Sequence, residues 1–283
     1  MSADIETAMV RAKESSARMA PSLAKQRVKR VRTAIAVFAS QIGILVVFLA
    51  FWEHVTPKNS SAAFMFGSPS AIASFLGQMA RDGSLLRDTY VTGIETLLGF
   101  FVGNLVGTLI GLSLWYSRFV SRVVEPFLIA LGSVPIIALA PIVIIWFGTG
   151  LISKVAMSTL SVVIVALVTS YKGAVGVDPD QINLMRTLGA SKFQIFRKLV
   201  VPASLTDIFA GLKLTVGFAL IGAIVGEFMS SSEGLGHAIF KAGSLYVIPK
   251  VFAALVVTIG LALFLTFVVG KIERLLMPWR RQI

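Results

Sequence analysis

An all-α integral membrane fold of six spans, with both termini on the cytoplasmic side, is what this sequence predicts, and three observations predict it. Of 283 residues, 56% are hydrophobic and only 14% charged, too little polar surface for a soluble chain of this length. The apolar residues also come in blocks. Residues 33–52, 96–117, 126–153, 155–171 and 251–270 hold no charge, and about 20 apolar residues cross the hydrocarbon core as a helix. A sixth block, roughly 208–227, is interrupted by Lys213, whose long stem near the helix end can snorkel. The third observation is where the cations lie. With six spans, nineteen of the 26 Lys and Arg fall on the side of the termini, six on the other, and Lys213 within a span. Such a bias marks the cytoplasmic side. The net charge of +12 is therefore topological and does not point to nucleic acid.

Taken in order, residues 1–32 form a basic cytoplasmic tail whose cluster Lys25 to Arg32 abuts the membrane surface. The first block ends in "FWEH" without a small-residue cleavage pattern, which reads as a retained anchor. Spans are expected at about 33–52, 90–115, 124–148, 152–171, 207–227 and 251–270, within a membrane domain of 33–271. A cytoplasmic tail, 272–283, follows. The external segment 53–88 has helical spacing in its second half, starting near Pro69 and broken at Gly83. In the second span, Gly99, Gly103, Gly107 and Gly111 stand four apart. They form a small-residue face suited to packing within the chain or to a dimer contact. The third span carries Pro126, Pro135 and Pro141, which remove backbone donors and bend helices. Such bends line pathways or serve packing alone.

Enzyme chemistry is not encoded in any recognisable form. There is no P-loop, and "GSPS" at 67–70 lacks the second glycine of a nucleophile elbow. His54 and His237 stand far apart, without metal-ligand spacing, and no cysteine exists for a disulfide or thiolate site. No cofactor is expected. The ionisable groups near span ends are Glu95, Glu125, Asp207, Lys213 and Glu227, too few and too scattered for catalysis. Neither non-spanning interior segment can bury a sizeable core, so any soluble unit that supplies energy or captures solute is a separate polypeptide.

The cytoplasmic segment 172–205 is basic and amphipathic. Asp178 is placed to cap a helix with Pro179 at its first position. Ile182, Met185, Leu188, Phe193, Phe196 and Val200 recur three to five apart. Gly189 breaks the first helix, Ser191 caps the next, and Pro202 ends it before the fifth span. Two short helices held at the membrane face can rest on anionic lipid or dock a partner.

At this point the residues carry a family resemblance. The segment resembles the EAA loop of bacterial ABC-importer permeases, with Asn183, Leu184 and Met185 at the Glu-Ala-Ala places, Gly189 at the glycine and "LVVP" (199–202) closing the pattern. "PIIALAPIVIIWFGTGLISK" (135–154) and "GEFMSSSEGLGHAI" (226–239) are similar to stretches of the nitrate, sulfonate and taurine permeases, in the same order. The likeness covers roughly 69–279. Glu95 stands where sulfonate permeases often carry arginine.

The resemblance implies a type I ABC importer permease in the bacterial inner membrane, itself non-catalytic and working as a homodimer. Its implied partners are ATP-binding subunits, a periplasmic or lipid-anchored substrate-binding protein and membrane lipid. Asn183, Leu184, Met185, Arg186, Thr187, Leu188, Gly189, Ala190, Ser191 and Pro202 would then form the ATPase-coupling element. Arg186 would supply the ionic contact, with Phe193 and Phe196 packed beneath the membrane domain. Pro135, Pro141, Glu227, Gly234 and Gly236 are the candidates for the pathway or for contact with the binding protein. Glu227 can equally be a solvated carboxylate at a helix end. The solute implied is a nitrate-, sulfonate- or taurine-like anion, or a pyrimidine or vitamin precursor. A secondary transporter, or a membrane scaffold or enzyme without an ATPase partner, is the competing expectation.

Overall fold

A computed structural model describes residues 32–33, 35–56 and 61–276. The basic tail before residue 32 and the end of the chain from residue 277 lie outside the described residues. Among the described residues the regular structure is all helix, and five helices are long and apolar enough to cross a membrane, or six if one bent pair counts as a crossing.

The chain separates into two compact bodies, divided between Ala63 and Phe64. The first contains α1 (Ile35–Val55), whose side chains are exposed along nearly its whole length. Thr56 closes it by donating its hydroxyl to the Trp52 carbonyl at 2.7 Å.

The division falls within α2 (Ser61–Phe66), and the second body holds α3 (Pro69–Arg81), α4 (Ser84–Leu114), α5 (Arg118–Gly132), α6 (Ile136–Phe147), α7 (Leu151–Val175), α8 (Pro179–Thr187), α9 (Lys192–Ile195), α10 (Val201–Ser230), α11 (Leu235–Ser244) and α12 (Ile248–Leu276). Its centre is the triplet α4, α7 and α10. The four glycines of α4 that stand four apart, Gly99, Gly103, Gly107 and Gly111, all face α7 of the same chain. A Cβ at Gly103 would lie 2.7 Å from Val162 Cβ, and one at Gly107 2.8 Å from Ala166 Cβ. Gly99 and Gly111 meet Ser158 and Ser170 in the same way. The small-residue face is thus spent on intramolecular packing rather than on a dimer contact. On its other side α7 receives Gly222 of α10, where a Cβ would stand 2.6 Å from the Met157 carbonyl.

Without a hydrophobic drive between helices in lipid, such close approach and interhelical hydrogen bonds hold the bundle. Ser158 donates to the Ala219 carbonyl at 2.9 Å, and Thr215 donates to Asn104 Oδ1 at 3.0 Å. Around them Phe100, Val162, Ala166, Val216, Ala219 and Leu265 form the apolar core.

Two expectations need correcting. The third span is not one bent helix. α5 and α6 meet at 94°, with Ser133 closing α5 and Pro135 at the N-cap of α6. Pro126 and Pro141 lie inside the two helices without breaking them. The second correction concerns Pro202, which does not end a helix: one continuous helix runs from Lys192 to Ser230. A π-helical turn, Phe196–Val200, precedes the proline, and Val201 N–H reaches back to the Phe196 carbonyl. The wider turn lets the helix pass a residue that has no N–H to give.

Lys213 does more than snorkel. It forms an ion pair with Glu273 on α12, whose side chain is largely buried.

Candidate functional sites

At the end of the bundle where α7 leaves the core, α8, α9 and the turn between them form a two-sided layer. Asp178 caps α8 by accepting from Asp180 N–H at 2.9 Å, and Pro179 opens the helix. The helix closes with a Schellman motif: Ala190 N–H reaches the Met185 carbonyl at 3.0 Å and Gly189 N–H the Arg186 carbonyl at 2.9 Å. Such a closure needs left-handed backbone at the residue after the cap, and Gly189 supplies it with φ +78°. Ser191 and Gln194 then form a reciprocal capping box for α9.

The inner side of this layer is anchored. Ile182, Met185, Ala190, Ile195 and Val200 pack with Leu112, Ala174 and Val177. Phe196 lies against Trp115 and Tyr116, ring centroids 5.7 and 4.8 Å away, and Lys192 donates to the Tyr116 carbonyl. On the outer side, Asn183, Arg186, Thr187, Gly189 and Ser191 are exposed. So are Leu184 at 60%, Leu188 at 74% and Phe193 at 61%. Phe193 therefore does not pack beneath the membrane domain as expected; only Phe196 does. Two residues after Ser191, Phe193 falls on the outward face of α9, opposite Ile195. Arg186 touches only Asn183 Oδ1, at 3.5 Å, among the described residues, leaving its guanidinium available to a partner.

The opposite end of the core holds a polar cluster. Glu227, near the end of α10, is fully buried, so the solvated carboxylate is ruled out. Its oxygens accept from the Thr92 hydroxyl at 2.6 Å and from Gly236 N–H. The Thr92 hydroxyl in turn accepts from Leu235 N–H at 2.8 Å, and Asp88 accepts from Gly234 N–H at 3.1 Å. The "GLG" turn is thereby fastened to α4 and α10 by three successive amides. At Gly236 a Cβ would stand 2.6 Å from Glu227 Oε2. Arg87 pairs with Glu233 at the rim.

Two charged groups beside Glu227 are not recognisable as a pair from sequence. Glu95 is 3% exposed and Lys154 4%. By sequence Lys154 counts as a cation of an external loop; it is folded inward, donating to the Thr149 carbonyl and to the Ser230 carbonyl at 2.9 Å. Glu95 and Glu227 are neighbours, with Lys154 close to both. A signal exists in the sequence: Asp88, Thr92 and Glu95 recur at helical spacing on what is otherwise an apolar span. Pro135 and Pro141 lie apart from this cluster, both exposed on the α5–α6 pair.

Residues 103–278 match the family described as binding-protein-dependent transport system inner membrane component. The riboflavin transport system permease protein of Chloroflexus aurantiacus is 33% identical over 235 residues, 83% of this chain and 88% of that one. The taurine transport system permease protein of Escherichia coli is 25% identical, over 86% of this chain and 90% of that one. Among solved structures, a chain of the methionine ABC transporter in inward-facing conformations superposes with a TM-score of 0.62. It is 21% identical and covers 69% of this chain and 97% of that chain, a likeness of fold.

Proposed function

The chain belongs to the family of binding-protein-dependent transport system inner membrane components, and from that premise we propose that α8 with its Gly189 turn is the handle by which a separate ATPase moves the pore. The chain is the permease subunit of an ABC importer in the bacterial inner membrane. It is not itself an enzyme; ATP hydrolysis belongs to another subunit, and a substrate-binding protein delivers the solute.

The docking surface is Asn183 to Ser191, with Leu184 and Leu188 as its apolar contacts and Arg186 as its ionic one. The observation that carries this reading is the two-sidedness of the layer. Its inner side is locked into the apolar core below Leu112, while its outer side presents large apolar side chains. A rigid element anchored on one face and unfilled on the other can transmit a push. ATP-driven closure of the ATPases would draw two such handles together and bias the outward-open state, as coupling demands. Pro202 contributes indirectly, by its place in the continuous helix that joins α9 to α10.

Two copies of the chain form the pathway in this reading. Glycine contacts close the α4–α7–α10 triplet, whereas α5 and α6 expose Phe127, Ile137, Ile145 and Trp146. The walls of the pathway are assigned to that exposed pair, including Pro135 and Pro141, and the GLG end to the binding-protein side. Vitamin-like and sulfonate solutes both occur among the relatives by name, so the family alone leaves both solute classes open.

The test is co-purification with the cognate ATPase. Leu184→Asp combined with Leu188→Asp is expected to abolish co-purification while thermal unfolding of the permease alone is unchanged, because both side chains are already exposed. Retention of the ATPase by this variant would refute the docking surface; loss only of binding to anionic vesicles would assign the layer to lipid instead.

A further inference from the structure

Where α4, α7, α10 and α11 meet, a cavity of about 690 Å³ opens at the GLG end of the bundle. Its charged and polar lining includes Glu95, Lys154, Ser232, Glu233 and His237, with Phe228 and Phe240 as aromatic walls. Glu233 is paired with Arg87. Lys154 is engaged by two backbone carbonyls. Glu227, behind the lining, is held by Thr92 and Gly236. Glu95 shares a hydrogen bond with the neighbouring Glu227, but one of its oxygens is left over. Its Oε2 is buried and accepts no hydrogen bond from any described residue, although the residue is 3% exposed. A buried polar atom left without a partner costs its desolvation, more for a charged group. Native proteins keep few such atoms, each calling for a reason.

The neighbouring groups point the same way. Two neighbouring carboxyl groups, Glu95 and Glu227, face one amine, Lys154. An added anion would meet that carboxyl pair with Lys154 already committed to its carbonyls. A donor nitrogen would instead satisfy the open acceptor. Aromatic walls suit a flat or cationic nitrogen group, by stacking or by cation–π attraction.

We propose that this cavity is a solute subsite that selects N–H donors, either a protonated amine or amidine or an amino-substituted heterocycle, and that Glu95 is its recognising residue. The inference rests on the permease reading, since it takes the GLG end to be the side from which solute enters. It also narrows that reading, because it disfavours simple anions such as nitrate or alkyl sulfonates without a donor nitrogen.

The test is calorimetric titration of the full chain, purified in detergent without any partner, with three probes: methylguanidinium chloride, 4-aminopyrimidine and sodium methanesulfonate. Saturable binding of either nitrogen probe, and none of methanesulfonate, is expected. Which nitrogen probe binds separates the cationic from the neutral donor. Glu95→Gln should weaken the bound probe by about tenfold or more, the loss of one charge-assisted hydrogen bond. Ser232→Trp, on an exposed lining residue, should weaken it as well by filling the mouth, which keeps the test valid if Glu95→Gln folds poorly. Saturation by methanesulfonate, equal binding to all variants, or no saturation by either nitrogen probe would overturn the proposal. ATPase co-purification of Glu95→Gln, measured alongside, is expected to match the unsubstituted chain, so a failed subsite is distinguishable from a failed docking surface.

Discussion

Single residues in this chain show how local backbone demands and packing demands separate. Gly189 has φ +78° and open space where a Cβ would stand, so its requirement is purely conformational. Gly107 is the reverse: ordinary helical backbone with no room for a Cβ. Tyr246 meets the first kind of demand with the wrong residue type. It ends α11 in the same closure as Gly189, Val247 N–H bonding the Ala242 carbonyl at 2.9 Å and Tyr246 N–H the Gly243 carbonyl at 3.0 Å. Its φ of 57° is the one positive value at a non-glycine among the described residues, and its ring is exposed, stacked only on Phe64 at 6.4 Å. Left-handed backbone costs a non-glycine residue about 1–2 kcal/mol. Tyr246→Gly is therefore expected to raise the thermal unfolding midpoint, by about 1 kcal/mol of added stability once the weak ring contact is lost. A lowered midpoint would mean that the ring contributes more than the backbone costs.

Among the elements, the α4–α7 contact defines the bundle. Gly107→Val is expected to prevent stable folding, since a Cβ there would overlap Ala166 and the α7 backbone. Gly217→Ala, on the same bundle but with nothing within 4 Å, should leave the yield and unfolding midpoint of the purified protein unchanged; the paired comparison is read by size-exclusion profile and thermal melting. The period-four glycine pattern was legible because a helix places such residues on one face whatever surrounds it. Its partner was not, since nothing local says which helix supplies Ser158 and Val162. The Asp178 cap, the Gly189 turn and the Ser191 cap were legible for the same local reason. Pro202 misled because its usual effect assumes an α-helical turn before it, and the π turn at Phe196–Val200 removes that assumption. Phe193 misled because α9 is a single turn, too short for spacing alone to fix which side faces inward. Glu227 and Lys154 sit at span ends where sequence predicts solvent. The folding back of the GLG turn encloses Glu227, and the Thr149 and Ser230 carbonyls hold Lys154 inward.

The second body has a closed three-helix core, with the α8–α9 layer at one end and a polar cavity at the other. Composition and the charge-free blocks were enough to predict the membrane class, because it follows from the solvent the chain must face. The relation between the two ends depends on tertiary packing and on partners outside the chain, which no spacing within it records. In the proposed coupling, ATP acts on the handle, and the rigid layer below Leu112 carries that motion to α10, whose far end holds Glu227 and the cavity. The most direct measurement of this coupling is the distance between the two handles. The chain contains no cysteine, so Gln181→Cys places a single spin label per copy on the exposed first turn of α8, outside the docking surface. In the assembled transporter with a hydrolysis-deficient ATPase, the label-to-label distance by pulsed dipolar spectroscopy is expected to shorten when ATP is added. A distance that ATP leaves unchanged, or no dipolar coupling between labels, would contradict the coupling of handle to pore.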